Sequence, residues 1–120
     1  QLLAAHGLEG GSTSGLGLIP GKVIKLKSYT NNERIPHVGW NEVHFIQSTF
    51  ITDGIVSGTD FYFVHSYHFL AEDKEYMFSQ TPYCTNFTSI VCNENIIGVQ
   101  FHPEKSSRAG LKLLENFIKC

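Results

Sequence analysis

The residue that normally opens a chain is almost absent here: the one methionine is Met77, and the first residue is Gln1. A fragment, a processed chain or an incomplete record of a longer one is the expectation that follows. Cysteine is also scarce. Cys84, Cys92 and Cys120 stand far apart and form no Cys-x-x-Cys pair, which fits reduced thiols in a cytosolic protein better than a disulfide framework or a zinc site. No His-Glu-x-x-His occurs, and a strand would point His65 and His68 to opposite faces, so no metal is expected. The chain has no block of Lys or Arg and a formal charge of only −2, which argues against nucleic acid as a partner. No run approaches the roughly eighteen apolar residues of a membrane span, and no basic-then-apolar leader is present. The expectation is a soluble, cytoplasmic protein. Glycine is plentiful near the start, yet neither Gly-x-Gly-x-x-Gly nor a Lys-Ser/Thr phosphate-loop ending appears.

The composition, 42% apolar and 17% charged over 120 residues, describes one globular domain with a real core. Residues 1–6, "QLLAAH", read as the last turns of a helix stopped by Gly7. The Gly/Ser/Thr-rich stretch that follows reads as a loop. Residues 22–27 alternate as a strand. "YTNNER" reads as a turn, and "IPHVGWNEVHFI" as a strand interrupted by Gly39. Residues 60–70 are the most β-prone run, and "EYMFSQ" is a short strand. "TSIVCNENIIGVQFH" reads as two strands joined at Asn93-Glu94-Asn95. "SSRAGLKLLENFIKC" reads as an amphipathic helix capped by Ser106 or Ser107, with Leu111, Leu114 and Ile118 on one face and Phe117 beside them. A sheet bounded by helices is the economical architecture, and no internal repeat is visible.

The stretch "IIGVQFHPEKSS" carries the chemistry. Strand alternation puts Gln100 and His102 on one face, and extension through Pro103 would add Glu104 to it. A carboxylate beside an imidazole fixes its tautomer and stabilises its protonated form, as a general base requires. A solvated strand end would carry the same two residues.

"GVQFHPEKS" resembles the His-Pro-Glu signature of the class I glutamine amidotransferases. "PHVGWNEV" and "YFVHSYHF" resemble the glutaminase subunits of imidazole-glycerol-phosphate synthases in particular, and the similarity runs in order over nearly all 120 residues. The resemblance implies a three-layer α/β fold with a central, mostly parallel sheet, of which residues 1–120 would be the C-terminal portion of a single domain. It implies a Cys-His-Glu triad in which His102 is the base and Glu104 orients it. Gln1 matches the last residue of the family's Cys-Leu-Gly-Met-Gln motif, so the nucleophile is expected four residues before it, the oxyanion segment further upstream, and the 120-residue piece alone inactive. None of the three cysteines present occupies a sharp strand-to-helix turn.

Other residues match singly. Gln1 and Glu9 resemble residues that hold the substrate glutamine, Glu9 at its α-ammonium, although "HGLEGG" departs from the family's more acidic pattern. Ser66 and Tyr67 match the segment gripping the α-carboxylate end, whereas His65 reads as a satisfied buried histidine. Trp40, Asn41, Tyr62 and Lys105 match positions facing a (β/α)8-barrel cyclase to which ammonia passes; Trp40 also reads as core and Lys105 as a solvated lysine. No cofactor is implied. Two other readings remain open: a paralogous amidotransferase for surface-sugar amidination, and an inactive binding module that keeps the fold. The second ranks lower because His102, Glu104, Gln1 and the grip segment are all kept.

Overall fold

The computed structural model describes residues 1–28 and 32–119; the first half of the "YTNNER" turn, residues 29–31, and Cys120 lie outside them. Among the described residues nine strands form one sheet: β1 (His6–Gly7), β2 (Thr13–Ser14), β3 (Gly21–Lys25), β4 (His37–Phe45), β5 (Thr59–His65), β6 (Tyr67–Ala71), β7 (Met77–Tyr83), β8 (Thr85–Asn93) and β9 (Ile96–Val99). Their order is β2-β1-β3-β6-β8-β7-β4-β5, with β9 also on β8. The one α-helix among the described residues, α1 (Ser107–Ile118), follows them, and short 3₁₀ turns lie at Phe50–Thr52, Lys74–Tyr76 and Pro103–Lys105.

The sheet is mixed. Among the described residues β1–β3 is the one parallel pairing and every other is antiparallel, so the expected predominance of parallel strands does not extend to this part of the fold. The connections explain it. A single residue, Cys84, separates Tyr83 from its partner Thr85, and two residues separate Asn93 from Ile96. Turns this short can only reverse a strand, because a parallel return needs a crossover of a dozen or more residues.

Three other expectations change. Residues 1–6 form a turn leading into β1 instead of a helix. The carbonyls of Leu2, Leu3 and Ala4 accept hydrogen bonds from the amides of Leu16, Leu18 and Gly17, and six residues offer too few helical bonds to repay nucleation. The long β-prone run is two strands: β5 stays on β4, while after Ser66 the chain leaves to pair with β3 and β8 as β6. Gly39 does not interrupt β4, which runs continuously through it; at φ +132° the backbone there takes a shape that L side chains rarely adopt.

Alternation in β5 places Phe61, Phe63 and His65 inside. Phe61 packs on Phe101 at 4.3 Å, and Phe63 meets Phe87 edge-on at 5.6 Å between ring centroids. These rings, with Val43, Ile51, Ile90 and Leu113, make the larger core; Ala4, Ile19, Val23, Phe69 and Val91 make a second. The 3.6-residue period of α1 is as expected, but its phase is not. Gly110 and Leu113 are buried, whereas Leu111 and Ile118 are exposed. Gly110 permits the close approach: a Cβ there would sit 1.9 Å from the Pro103 carbonyl oxygen. The small residue therefore seats α1 against the Pro103–Lys105 turn.

Candidate active site

β9 ends at Val99, and the chain then runs along the molecule to His102. The Gln100 amide donates to the Ser89 carbonyl at 2.9 Å, and the His102 amide to the Tyr62 carbonyl at 2.9 Å. At Pro103 the backbone enters a 3₁₀ turn in place of continued extension. Glu104 still reaches the imidazole, with its Oε1 3.0 Å from His102 Nδ1. The expected pairing is therefore present, but a tight turn makes it rather than strand alternation, and Pro103 at the head of that turn suits its fixed φ. The Glu104 carboxyl is held below the usual carboxylate range, first by its own backbone N–H and then by His102. With Nδ1 engaged by Glu104, the Nε2 of His102 is the nitrogen left to face a substrate or a thiol.

Ser106 braces this turn and was not anticipated in that role. Its hydroxyl donates to the His102 carbonyl at 2.6 Å and accepts from the Tyr62 amide at 2.9 Å. It stands at the start of α1 without making a side-chain cap bond. In sequence only its place three residues after Pro103 marks it.

Gln1 and Tyr67 come together: Gln1 Nε2 donates to the Tyr67 carbonyl at 2.8 Å and to Gln100 Oε1 at 3.0 Å. Gln100, two residues before His102, thus joins the glutamine-binding candidates to the His-Glu pair. Glu9 is exposed and shares with Gln1 a cleft of about 230 Å³, which Thr13 and Ser14 also line. Ser66 stands at the β5–β6 break, its carbonyl accepting from the Leu26 amide at 2.9 Å.

Of the partner-facing candidates, Trp40 and Tyr62 are a register pair on β4 and β5 with rings edge-to-face at 6.0 Å. Trp40 is 53% exposed, which removes the core-packing reading. Lys105 is exposed beside Glu104. Asn41 is different: its amide is turned inward, donating to the Pro82 carbonyl at 2.9 Å and lying 3.3 Å from His37 Nε2. His37 itself was missed; it reads in sequence as an ordinary strand residue.

The cysteines offer poor nucleophiles. Cys92 is buried in β8, and burial pushes its thiol up to about 11. Cys84 sits in a left-handed turn, φ 63°, its amide bonded to the Glu33 carboxylate, and burial followed by the Glu33 charge raises its pKa. Among the described residues no three His, Cys, Asp or Glu side chains gather as a metal site, and no helix is long and apolar enough to cross a membrane.

Comparison with known proteins shows what the chain is similar to. The family model "Glutamine amidotransferase class-I" matches residues 3–120. The imidazole glycerol phosphate synthase subunit HisH of Pelagibacter ubique is 45% identical over 118 residues, covering 98% of this chain and 57% of that protein. The protein of the same name from Pyrococcus furiosus is 48% identical, with 98% and 59% covered. The chain thus spans less than two thirds of the length of these relatives. In fold it is similar to a solved GMP synthase protein, itself called putative, from Thermoplasma acidophilum, with TM-score 0.64 and 20% identity over 82% of this chain and 47% of that one. The family-model match over residues 3–120, nearly the whole chain, places this protein in the class-I glutamine amidotransferase family.

Proposed function

We propose that this chain is the C-terminal portion of a single amidotransferase domain, the glutaminase subunit of a cytoplasmic imidazole glycerol phosphate synthase. It hydrolyses glutamine and passes the ammonia to a (β/α)8-barrel cyclase subunit in histidine biosynthesis. The observation that carries the reading is the His102–Glu104 pair at 3.0 Å, set beside relatives that bear the synthase name at 45–48% identity.

In this reading a cysteine outside residues 1–120 supplies the nucleophile. His102 takes the thiol proton through Nε2, and the thiolate attacks the γ-amide carbon of glutamine. The imidazolium, stabilised by Glu104, returns the proton to the departing nitrogen as ammonia leaves. Water, deprotonated by the same imidazole, then cleaves the glutamyl thioester to glutamate and regenerates the thiol. Gln1 and Tyr67 hold the substrate near Gln100, with Ser66 at its α-carboxylate end and Glu9 at its α-ammonium.

An electrophilic glutamine analogue tests the assignment of the nucleophile. Peptide mapping of the treated full protein is expected to find the label on one cysteine outside residues 1–120. Label on Cys84, Cys92 or Cys120, or on no cysteine at all, overturns the proposal, the last outcome favouring a module without catalysis.

Trp40, Tyr62 and Lys105 form the proposed barrel-facing surface, Trp40 as a half-exposed aromatic anchor. Trp40→Ala is expected to weaken binding of the cyclase subunit by roughly 2 kcal/mol, about thirtyfold in Kd, with a smaller loss for Lys105→Ala. Titration of the purified subunits measures both. Unchanged affinity and unchanged coupling in both variants would remove this surface from the interface.

A further inference from the structure

Two buried histidines lie outside the chemistry described above, and their protons can be assigned from the groups at either end. His37 opens β4, His65 closes β5, and the two are register partners. They are 3% and 7% exposed, and His37 Nδ1 lies 2.9 Å from His65 Nε2. At one end the Tyr67 carbonyl, which only accepts, is 2.8 Å from His65 Nδ1. That nitrogen therefore carries a proton, and in a neutral ring Nε2 is the acceptor. At the other end the Asn41 amide is oriented by its own bonds: Oδ1 accepts from the Glu42 amide at 2.8 Å and Nδ2 donates to Pro82 O. Nδ2 thus faces His37 Nε2 as a donor, at 3.3 Å. His37 Nε2 accepts, and its Nδ1 proton is given to His65 Nε2.

Every ring nitrogen is satisfied with both rings neutral, and every bond points the same way, from Asn41 to Tyr67. Burial lowers the pKa of both histidines; the charge of His65 adds to it for His37, whereas for His65 the Tyr67 carbonyl opposes it and the charges of His68 and His102 add to it, the net direction in keeping with neutral rings. Stacking fixes the chain sideways, His37 lying 3.9 Å from the Tyr83 ring and 5.0 Å from Phe63. Two imidazoles cost more to bury than two aliphatic side chains would. What they add is direction, and it ends on the one carbonyl that also accepts from Gln1 Nε2 at 2.8 Å.

We propose that His37 and His65 are positioning residues for the glutamine site: as neutral imidazoles of fixed tautomer they set the Tyr67 carbonyl that anchors Gln1. The inference rests on the reading of Gln1 and Tyr67 as glutamine-binding residues, and its test has one arm that does not need activity. In the full protein with ¹⁵N-labelled histidine, near neutral pH, NMR is expected to show a protonated Nδ1 and a bare Nε2 for both rings. An Nε2–H tautomer or an imidazolium at either position overturns the chain.

The second arm is kinetic. His65→Asn keeps an amide donor close to the position of Nδ1, whereas His65→Leu keeps none. The leucine variant is expected to raise the KM for glutamine about tenfold with kcat within about twofold, and the asparagine variant to recover most of that loss. Equal KM values in the two variants, or a fall in kcat as large as the rise in KM, refute the positioning role. A full protein that hydrolyses no glutamine would instead refute the glutaminase reading, while the NMR result would still decide the tautomers.

Discussion

Replacing His102 by alanine is expected to lower glutamine hydrolysis by the full protein ~10³-fold or more, the largest effect of any single change considered. The argument is positional. His102 is fixed on three sides: its amide on the Tyr62 carbonyl, its carbonyl on the Ser106 hydroxyl, and its Nδ1 on Glu104. One ring nitrogen is thus left to take a proton, and alanine leaves none. Glu104→Gln keeps the shape of the turn but cannot stabilise the imidazolium, so its loss should be smaller, on the order of tenfold to a hundredfold. Steady-state glutaminase rates, with circular dichroism to show that both variants fold, measure the two effects. A His102→Ala enzyme with unimpaired turnover would end the assignment of His102 as base.

Acid should destabilise the fold through His37. Its pKa is lowered from 6.5 to about 4, by burial first and by the charge of His65 second, and that of His65 is lowered too. An unfolded chain binds these protons near pH 6.5. Between that pH and about 4 the unfolded state therefore holds more protons than the folded one, and stability must fall as pH falls. Above pH 6.5 the contribution is fully present; below about 4 the loss is complete. For His37 the loss amounts to about 3 kcal/mol across the window, enough to consume a large share of an ordinary domain's stability. Denaturant unfolding at a series of pH values measures it. His37→Asn should show a shallower slope near pH 5, by up to one proton. Parallel curves for the two proteins would show that His37 does not carry the dependence.

The residues with the chemistry were the most legible part of the sequence. "GVQFHPEKS" identified the His-Glu pair because its two side chains need only local backbone to meet, and the β-prone composition of residues 60–70 marked strand there. The phase of α1 was hidden because a helix wheel weighs Leu111 and Ile118 as apolar, whereas tertiary packing selected Gly110 for its lack of a side chain. The break at Ser66 was hidden because no Gly or Pro marks it; β6 leaves β5 to pair with strands remote in sequence. His37 was hidden for a similar reason. Its meaning comes from His65, 28 residues away, and from Asn41, whose amide nitrogen lies 3.3 Å from its Nε2. Pairings of that kind have no local signature.

Trp40 is the single tryptophan among these 120 residues, and it stands half in solvent on the outer face of the β4–β5 hairpin instead of in either core. Indole emission from this region is therefore a poor gauge of unfolding, since the ring already stands half in water in the folded chain. The same placement makes it a sensitive gauge of anything that covers the hairpin: a blue-shift of the indole emission would report occupation of that face.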